Sequence, residues 1–324
     1  MEKIGNFQHD VKTEIKPWTH LNFGNRGEGE DFCFGIVSDR AGRPRPGVFE
    51  GALQIFNRMR PEFVMSVGDY IEGVSVEDYS EPFLRKQWNY ILPEIRKCIP
   101  PFFFVAGNHD YDSPKEYFPG MHKITKGLWD EFFGVDYYSF IYKKVLFLCL
   151  NTNAAEKGLG ALQTEWALKT IAEHSDVRWT FVFMHSPYFW DSEDFGKLED
   201  ALYERNYTVF AGDIHQYTKY VRNGRKYMML GFTGCGEGRV GQGPLGVHFG
   251  EFDHVTWVSM CGEKPEFTHL ALEGVYDENV VTTDSITWLT ANYFRANKKI
   301  PQEEYDHLQT IGIEIERPEF GDWK

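Results

Sequence analysis

The chain has no C-x-x-C pair, no run of 18 apolar residues and no excess of basic side chains. Each absence narrows the field. Its five cysteines (Cys33, Cys98, Cys149, Cys235 and Cys261) are scattered and odd in number, a poor match to a disulfide frame or a thiolate zinc knuckle. Three lie in apolar runs and read as small buried hydrophobes. No apolar window is long enough to span a bilayer, so no membrane partner is expected. The opening residues, MEKIGNFQHDVKTEIKPW, show neither an apolar leader core nor a small-residue cleavage site. A cytoplasmic, reducing setting is expected, or secretion if a leader has been removed. Against 48 Asp and Glu stand only 34 Lys and Arg, a net charge of −14 with a pI near 5.3. That deficit argues against long nucleic acid, whose phosphates demand clustered Lys and Arg, but not against a small phosphorylated molecule held by metal ions. There is no internal repeat. The one biased stretch is 231–250, with eight glycines in 20 residues.

What is present is a rhythm of apolar runs and amphipathic segments. The runs 32–38, 62–68, 101–106, 145–150, 179–184 and 207–211 are short, rich in Val, Phe and Ile, and nearly continuous in apolarity, as strands buried on both faces should be. Between them, Ala52, Ile55, Phe56 and Met59 form a helical stripe that Pro61 stops. Leu84, Trp88, Ile91, Leu92 and Ile95 form a second, with Pro93 inside it, and 161–173 and 195–205 also read as helical. Asn223-Gly224 lies between strand-like arms, a hairpin signal; Lys143-Lys144 is a second such turn, and 251–273 reads as two further strands. Alternation followed by hairpins implies an α/β layer structure with a second sheet.

Polar residues recur where the runs end. Ser38-Asp39, Gly68-Asp69, Gly107-Asn108-His109-Asp110, His185 and Gly212-Asp213-Ile214-His215 each close one of five runs. In open α/β sheets ligands bind beyond the carboxyl ends of strands, so these side chains are expected to share one edge. Oxygen and imidazole donors without thiolate suit Mn, Fe, Zn or Mg. Several carboxylates around two cations would serve an in-line phosphoryl displacement.

These blocks, read as SDRAG, VGDYIEG, AGNHDY, FMHSP and AGDIHQY, resemble in order the signature of the calcineurin-like metallophosphoesterases, which include the purple acid phosphatases. The resemblance covers roughly residues 32–220 and implies a four-layer α/β/β/α sandwich of two mixed sheets flanked by helices. It implies a dinuclear site of two divalent (or Fe and divalent) ions, Mn, Fe or Zn, whose bridging hydroxide attacks a phosphomonoester or phosphodiester; the acidic charge favours a small molecule as its substrate. By position, Asp39 and His215 resemble ligands of the first metal, Asp69 the bridging carboxylate, and Asn108 and His185 ligands of the second. His109 resembles the histidine that faces the phosphate, with Asp110 orienting its ring.

Two blocks depart from the pattern. Ala41 stands where the family has a histidine ligand; Glu72, three residues after Asp69, could restore the lost donor or serve as a loop carboxylate. Asp213 replaces the first histidine of G-H-x-H, favouring harder ions or impairing the second site. Those departures keep open a degenerate member that binds without turnover; a second alternative is a metal-dependent hydrolase of a non-phosphate bond that uses the same bridging hydroxide. Arg40 is placed either to grip phosphate oxygens or on the surface. His122, His174, His248 and His254 have no motif context; His248, in the glycine-rich loop, is the best placed to wall a cleft. GQGPLG formally matches G-x-G-x-x-G at Gly241, Gly243 and Gly246, but Pro244 lies inside it and no helix follows, so it is no dinucleotide loop. The expected organisation is an N-terminal extension (1–30), a catalytic domain (31–275) and a helical tail packed on it (276–324). Substrate selectivity is assigned to loops 111–127, 186–196 and 231–250.

Overall fold

The structure, a computed structural model, describes residues 1–277 except 25–28, 74–77, 79, 113, 115–119, 157, 191, 237–246, 248–249 and 272–273. Of the helical tail expected over 276–324, residues 276 and 277 close a strand and the rest, like His248 and the GQGPLG loop, lies outside the described residues.

The sequence opens with a hairpin, β1 (Glu2–Ile4) and β2 (Phe7–His9). β3 (Phe32–Val37), α1 (Val48–Met59) and β4 (Phe63–Ser66) form a parallel β-α-β unit. α1 stops because Arg60 takes a left-handed φ of 56° and returns its N–H to Phe56 O, with Pro61 next. α2 (Glu81–Ile95) and α3 (Met121–Phe133) follow, then β5 (Tyr138–Tyr142) and β6 (Val145–Cys149). α4 (Ala161–Glu173), β7 (Trp179–Phe183), α5 (Glu193–Leu202) and β8 (Tyr207–Ala211) repeat the alternation. Hairpins β9 (Thr218–Arg222)–β10 (Arg225–Met229) and β11 (His254–Cys261)–β12 (Lys264–Ala271), then β13 (Gly274–Asp277), complete the order.

Two mixed sheets result. Among the described residues, one has eight strands in the order β1-β2-β5-β6-β7-β8-β10-β9, the other five in the order β13-β12-β11-β3-β4. Period-two alternation assigns each side chain to a layer. In β7, Phe181 and Phe183 enter the core between the sheets, while Val182 faces outward. That central core is aromatic, with Phe34, Phe63, Phe140, Phe147 and Phe210 inside it. Phe49, Phe56, Leu84, Trp88 and Leu128 of α1–α3 cover the outer face of the five-stranded sheet. Ala167, Ile171, Phe195 and Leu198 of α4 and α5 cover the other. The architecture is thus helix, sheet, sheet, helix.

Both anticipated two-residue turns form, with positive φ at Lys143 and Lys144 and at Asn223 and Gly224, the geometry that matches strand twist. Three expectations need correcting. Residues 2–9 are part of the eight-stranded sheet, since β2 pairs with β5. The run 101–106 makes only isolated bridges, at Phe102 and Phe103. Its next amides go elsewhere, Phe104 N–H to Pro17 O and Val105 N–H to the hydroxyls of Ser66 and Tyr70. Finally, 121–127 belongs to α3, and 193–196 to α5, not to loops.

Candidate metal centre

β3 and β4 deliver Asp39 and Asp69 from the five-stranded sheet; β7 and β8 deliver His185, Asp213 and His215 from the eight-stranded one. The two edges are bonded to each other. Asp213 N–H crosses between them to donate to Asp39 Oδ1 at 2.8 Å, while within the five-stranded sheet's own edge Arg40 and Ala41 N–H both donate to Asp69 O at 3.0 Å. Asp69, Asp213 and His215 have left-handed φ of 63°, 73° and 60°. Such backbone costs on the order of 1–3 kcal/mol per residue and persists only where its surroundings over-determine it. Glycine is required at Gly107, where a Cβ would stand 2.1 Å from Asp69 Oδ1, and at Gly212, where it would stand 2.4 Å from Asp39 Oδ2.

Asp39, Asp69 and His185 are fully buried, and one donor atom from each lies within 4.8 Å of the others. The His185 ring is fixed at both nitrogens. Nδ1 lies 2.7 Å from Val67 O, which can only accept, so Nδ1 carries a proton. Nε2 then faces Asn108 Oδ1 at 2.8 Å, Asp69 Oδ1 at 3.3 Å and Asp213 Oδ1 at 3.6 Å. Three oxygens around one nitrogen require positive charge between them, as a proton or a cation. Without a cation, burial alone would depress the His185 pKa, but the carboxylates of Asp69, Asp39 and Asp213 raise it well above the usual imidazole range. Burial pushes the Asp39 carboxyl up, against the pull of His185 and His215. For Asp69, burial is outweighed by His185 and His109, and the carboxyl is lowered. The unscreened negative charge and the oxygen–imidazole donor set fit a divalent cation.

The family model described as calcineurin-like phosphoesterase matches residues 19–217, more than half the chain. The chain belongs to that family. The serine/threonine-protein phosphatases CPPED1 of Pongo abelii and Homo sapiens are each 26% identical over 253 residues, covering 71% of this chain and 75% of theirs. A Plasmodium protein, GAP50, described as the anchor in the inner membrane complex, superposes with a TM-score of 0.50 at 15% identity. The match covers 81% of this chain and 94% of that one, and shows the shared fold alone. As a calcineurin-like phosphoesterase the chain is an enzyme, a phosphatase or phosphodiesterase, of a class that uses divalent metals. No helix among the described residues is long and apolar enough to cross a membrane.

The remaining site residues of this phosphoesterase are placed as follows. His215 Nε2 stands 3.6 Å from Asp39 Oδ1. His109 Nε2 stands 3.9 Å from Asp69 Oδ2, with the side chain one-third exposed, and its backbone N–H donates to Asp69 Oδ1 at 3.1 Å. Its Nδ1 is 2.6 Å from the backbone oxygen of Glu72. Glu72 carbonyl, not Asp110, therefore orients the ring.

Asp110 instead anchors the turn that carries Asp69. Its Oδ2 accepts from Asp69 N (2.7 Å) and Gly107 N (3.1 Å), its Oδ1 from Tyr70 N (2.9 Å) and Ile71 N (3.2 Å). Burial and neighbouring Asp69 push its pKa up to about 7, against those amides. The geometry favours the carboxylate, because a proton on either oxygen would face amide donors. Glu72 turns its carboxylate toward Gly42 N (3.0 Å) and Arg43 N (3.0 Å), tying the 42–43 loop. Arg40 Nη1 donates to Tyr70 O at 2.8 Å, with its guanidinium over the Tyr90 ring. The buried Ala41 side chain has no atom that could ligate a cation. Val67 carbonyl and Cys235 were not foreseen. The first is a backbone group, and the second lies 20 residues from the ring it touches, without a motif.

Proposed function

We infer that this enzyme hydrolyses a phosphoester of a small molecule at a centre of two divalent cations. Asp39, Asp69 and His215 would hold one, and Asp69, Asn108, His185 and Asp213 the other, with Asp69 shared. The observation that carries the reading is the His185 ring. One nitrogen is spent on a backbone carbonyl and the other is turned to three oxygens, the arrangement of a metal-ligating histidine held from behind. The cations would supply Lewis-acid polarisation of the phosphoryl oxygens and a nucleophile from water near neutral pH.

The chain's own residues do the rest. The Glu72 carbonyl holds His109 Nδ1–H and so aims Nε2 at the exposed side of the centre. From there Nε2 can give its proton to the leaving oxygen as water's oxygen bonds to phosphorus and the ester P–O bond breaks, yielding an alcohol and phosphate, or a phosphomonoester from a diester. Asp110 and Gly107 hold Asp69 in its left-handed turn, so the carboxylate needs little rearrangement to reach its place. Glu72 supports this site through its carbonyl and the 42–43 loop, and Arg40 through Tyr70 O.

A second reading of the substrate, phosphoserine or phosphothreonine in protein, is favoured by the CPPED1 relatives. The test compares p-nitrophenyl phosphate, bis(p-nitrophenyl) phosphate and a phosphoserine peptide, each with Mn²⁺, Zn²⁺ or chelator. Chelator-sensitive hydrolysis of a nitrophenyl ester supports the small-molecule reading. Turnover confined to the peptide supports the second, and no cation-dependent turnover of any ester rejects both.

A further inference from the structure

His215 has a partner outside the five blocks that carry the site residues. Cys235 is buried, its sulfur 3.3 Å from His215 Nδ1 and 3.1 Å from Gly42 O. The thiol donates to Gly42 O, which can only accept, so the sulfur turns lone pairs toward the imidazole and Nδ1 is the nitrogen placed to donate to it. Nε2 is left with its lone pair directed toward Asp39 Oδ1 at 3.6 Å, two acceptors face to face.

The sulfur is not free to drift. Arg45 donates to Cys235 O from Nε (3.1 Å) and Nη2 (2.9 Å), and the same Nη2 bridges to Asp253 Oδ2 at 2.5 Å. Gly236 N–H donates to Gly42 O and Arg45 N–H to Gly234 O, both at 2.8 Å, while Gly234 N–H donates to Asp253 Oδ1 at 2.9 Å. The segment 233–236 is thus laced to the loop 39–45 that carries Asp39. His215 itself sits at a left-handed φ of 60°.

We propose that Cys235 is a positioning residue: its sulfur accepts the His215 Nδ1 proton, fixes the tautomer and turns Nε2 toward the cation shared with Asp39. This rests on the two-cation reading above. Partners of this kind typically contribute 10–100-fold in metal affinity. They are usually carboxylates or carbonyls; here a thiol fills the role.

Nitrogen-15 NMR of the cation-free protein, with the His215 signals assigned by a His215→Gln variant, reads the tautomer directly. The expected result is a proton on Nδ1 in the wild type and a mixed population in Cys235→Ala; a proton on Nε2 in the wild type overturns the proposal. Calorimetric titration with Mn²⁺ supplies the second readout. Cys235→Ala should bind roughly 10–100-fold more weakly at an unchanged melting temperature, whereas Cys235→Ser, which keeps a donor and an acceptor, should stay within about threefold. Wild-type affinity in Cys235→Ala, or equal losses in Ala and Ser, overturns it. A wild type that binds no Mn²⁺ refutes the two-cation reading, and the NMR result still decides the role of Cys235.

Discussion

Gly107→Ala is a one-methyl test of how tightly the Asp69 carboxylate is held. The added Cβ would lie 2.1 Å from Asp69 Oδ1 and 2.4 Å from Asp69 N. Contacts below about 3 Å are not tolerated, so the carboxylate or strand end must retreat by about 1 Å, a displacement that can cost 10²-fold in rate. Retreat also strains the His109 N–H bond to Oδ1 and the two bonds that Asp110 Oδ2 makes to Gly107 and Asp69. Overpacking of a rigid site costs typically about 1–3 kcal/mol. The variant should therefore unfold at lower urea, bind Mn²⁺ more weakly and hydrolyse p-nitrophenyl phosphate at least ~100-fold more slowly. Urea titration, calorimetry and a colorimetric assay measure the three. A variant within threefold of wild type in both affinity and turnover would refute the close packing of Gly107 against Asp69.

Helical glycines give the opposite sign. Gly51, Gly127 and Gly196 have nothing within 4 Å of an added Cβ, so alanine at each should raise stability by about 0.5–1 kcal/mol, and a loss at all three in urea titration would contradict that. His109→Ala should lower turnover by roughly 10²–10⁴-fold with Mn²⁺ affinity retained; lost affinity in calorimetry would make His109 a ligand. Burial lowers the His254 pKa to about 4, so folding is favoured while the ring is neutral. That stability is complete above about pH 6.5 and is lost as pH falls toward 4, about 2 kcal/mol of it by pH 5. Urea unfolding of His254→Asn at pH 7 and 5 should show an acid loss smaller by that amount, and an unchanged loss would remove His254 as its source.

The parts legible in sequence were those written in local patterns. Apolar runs located most strands, and the polar residues that end β3, β4, β7 and β8 do meet at one edge. The stripe of α3 was overlooked: Met121, Leu128, Trp129 and Phe133 are buried, but Gly127 and the loop-like residues before it obscured the period. Position alone could not show Asp110 gathering four amides or Glu72 offering its carbonyl to His109, because three of those amides and that carbonyl lie 37 to 41 residues from their partners. Cys235 stands in a glycine-rich stretch with no motif, and its sulfur meets His215 only because the 233–236 segment bonds to the loop that follows β3.

The most direct measurement is anomalous diffraction at the manganese edge from a crystal grown with Mn²⁺. Two peaks are expected, flanking Asp69, one beside Asp39 and His215 and the other beside Asn108 and His185. A single peak, or none within this group of side chains, would contradict the two-cation centre.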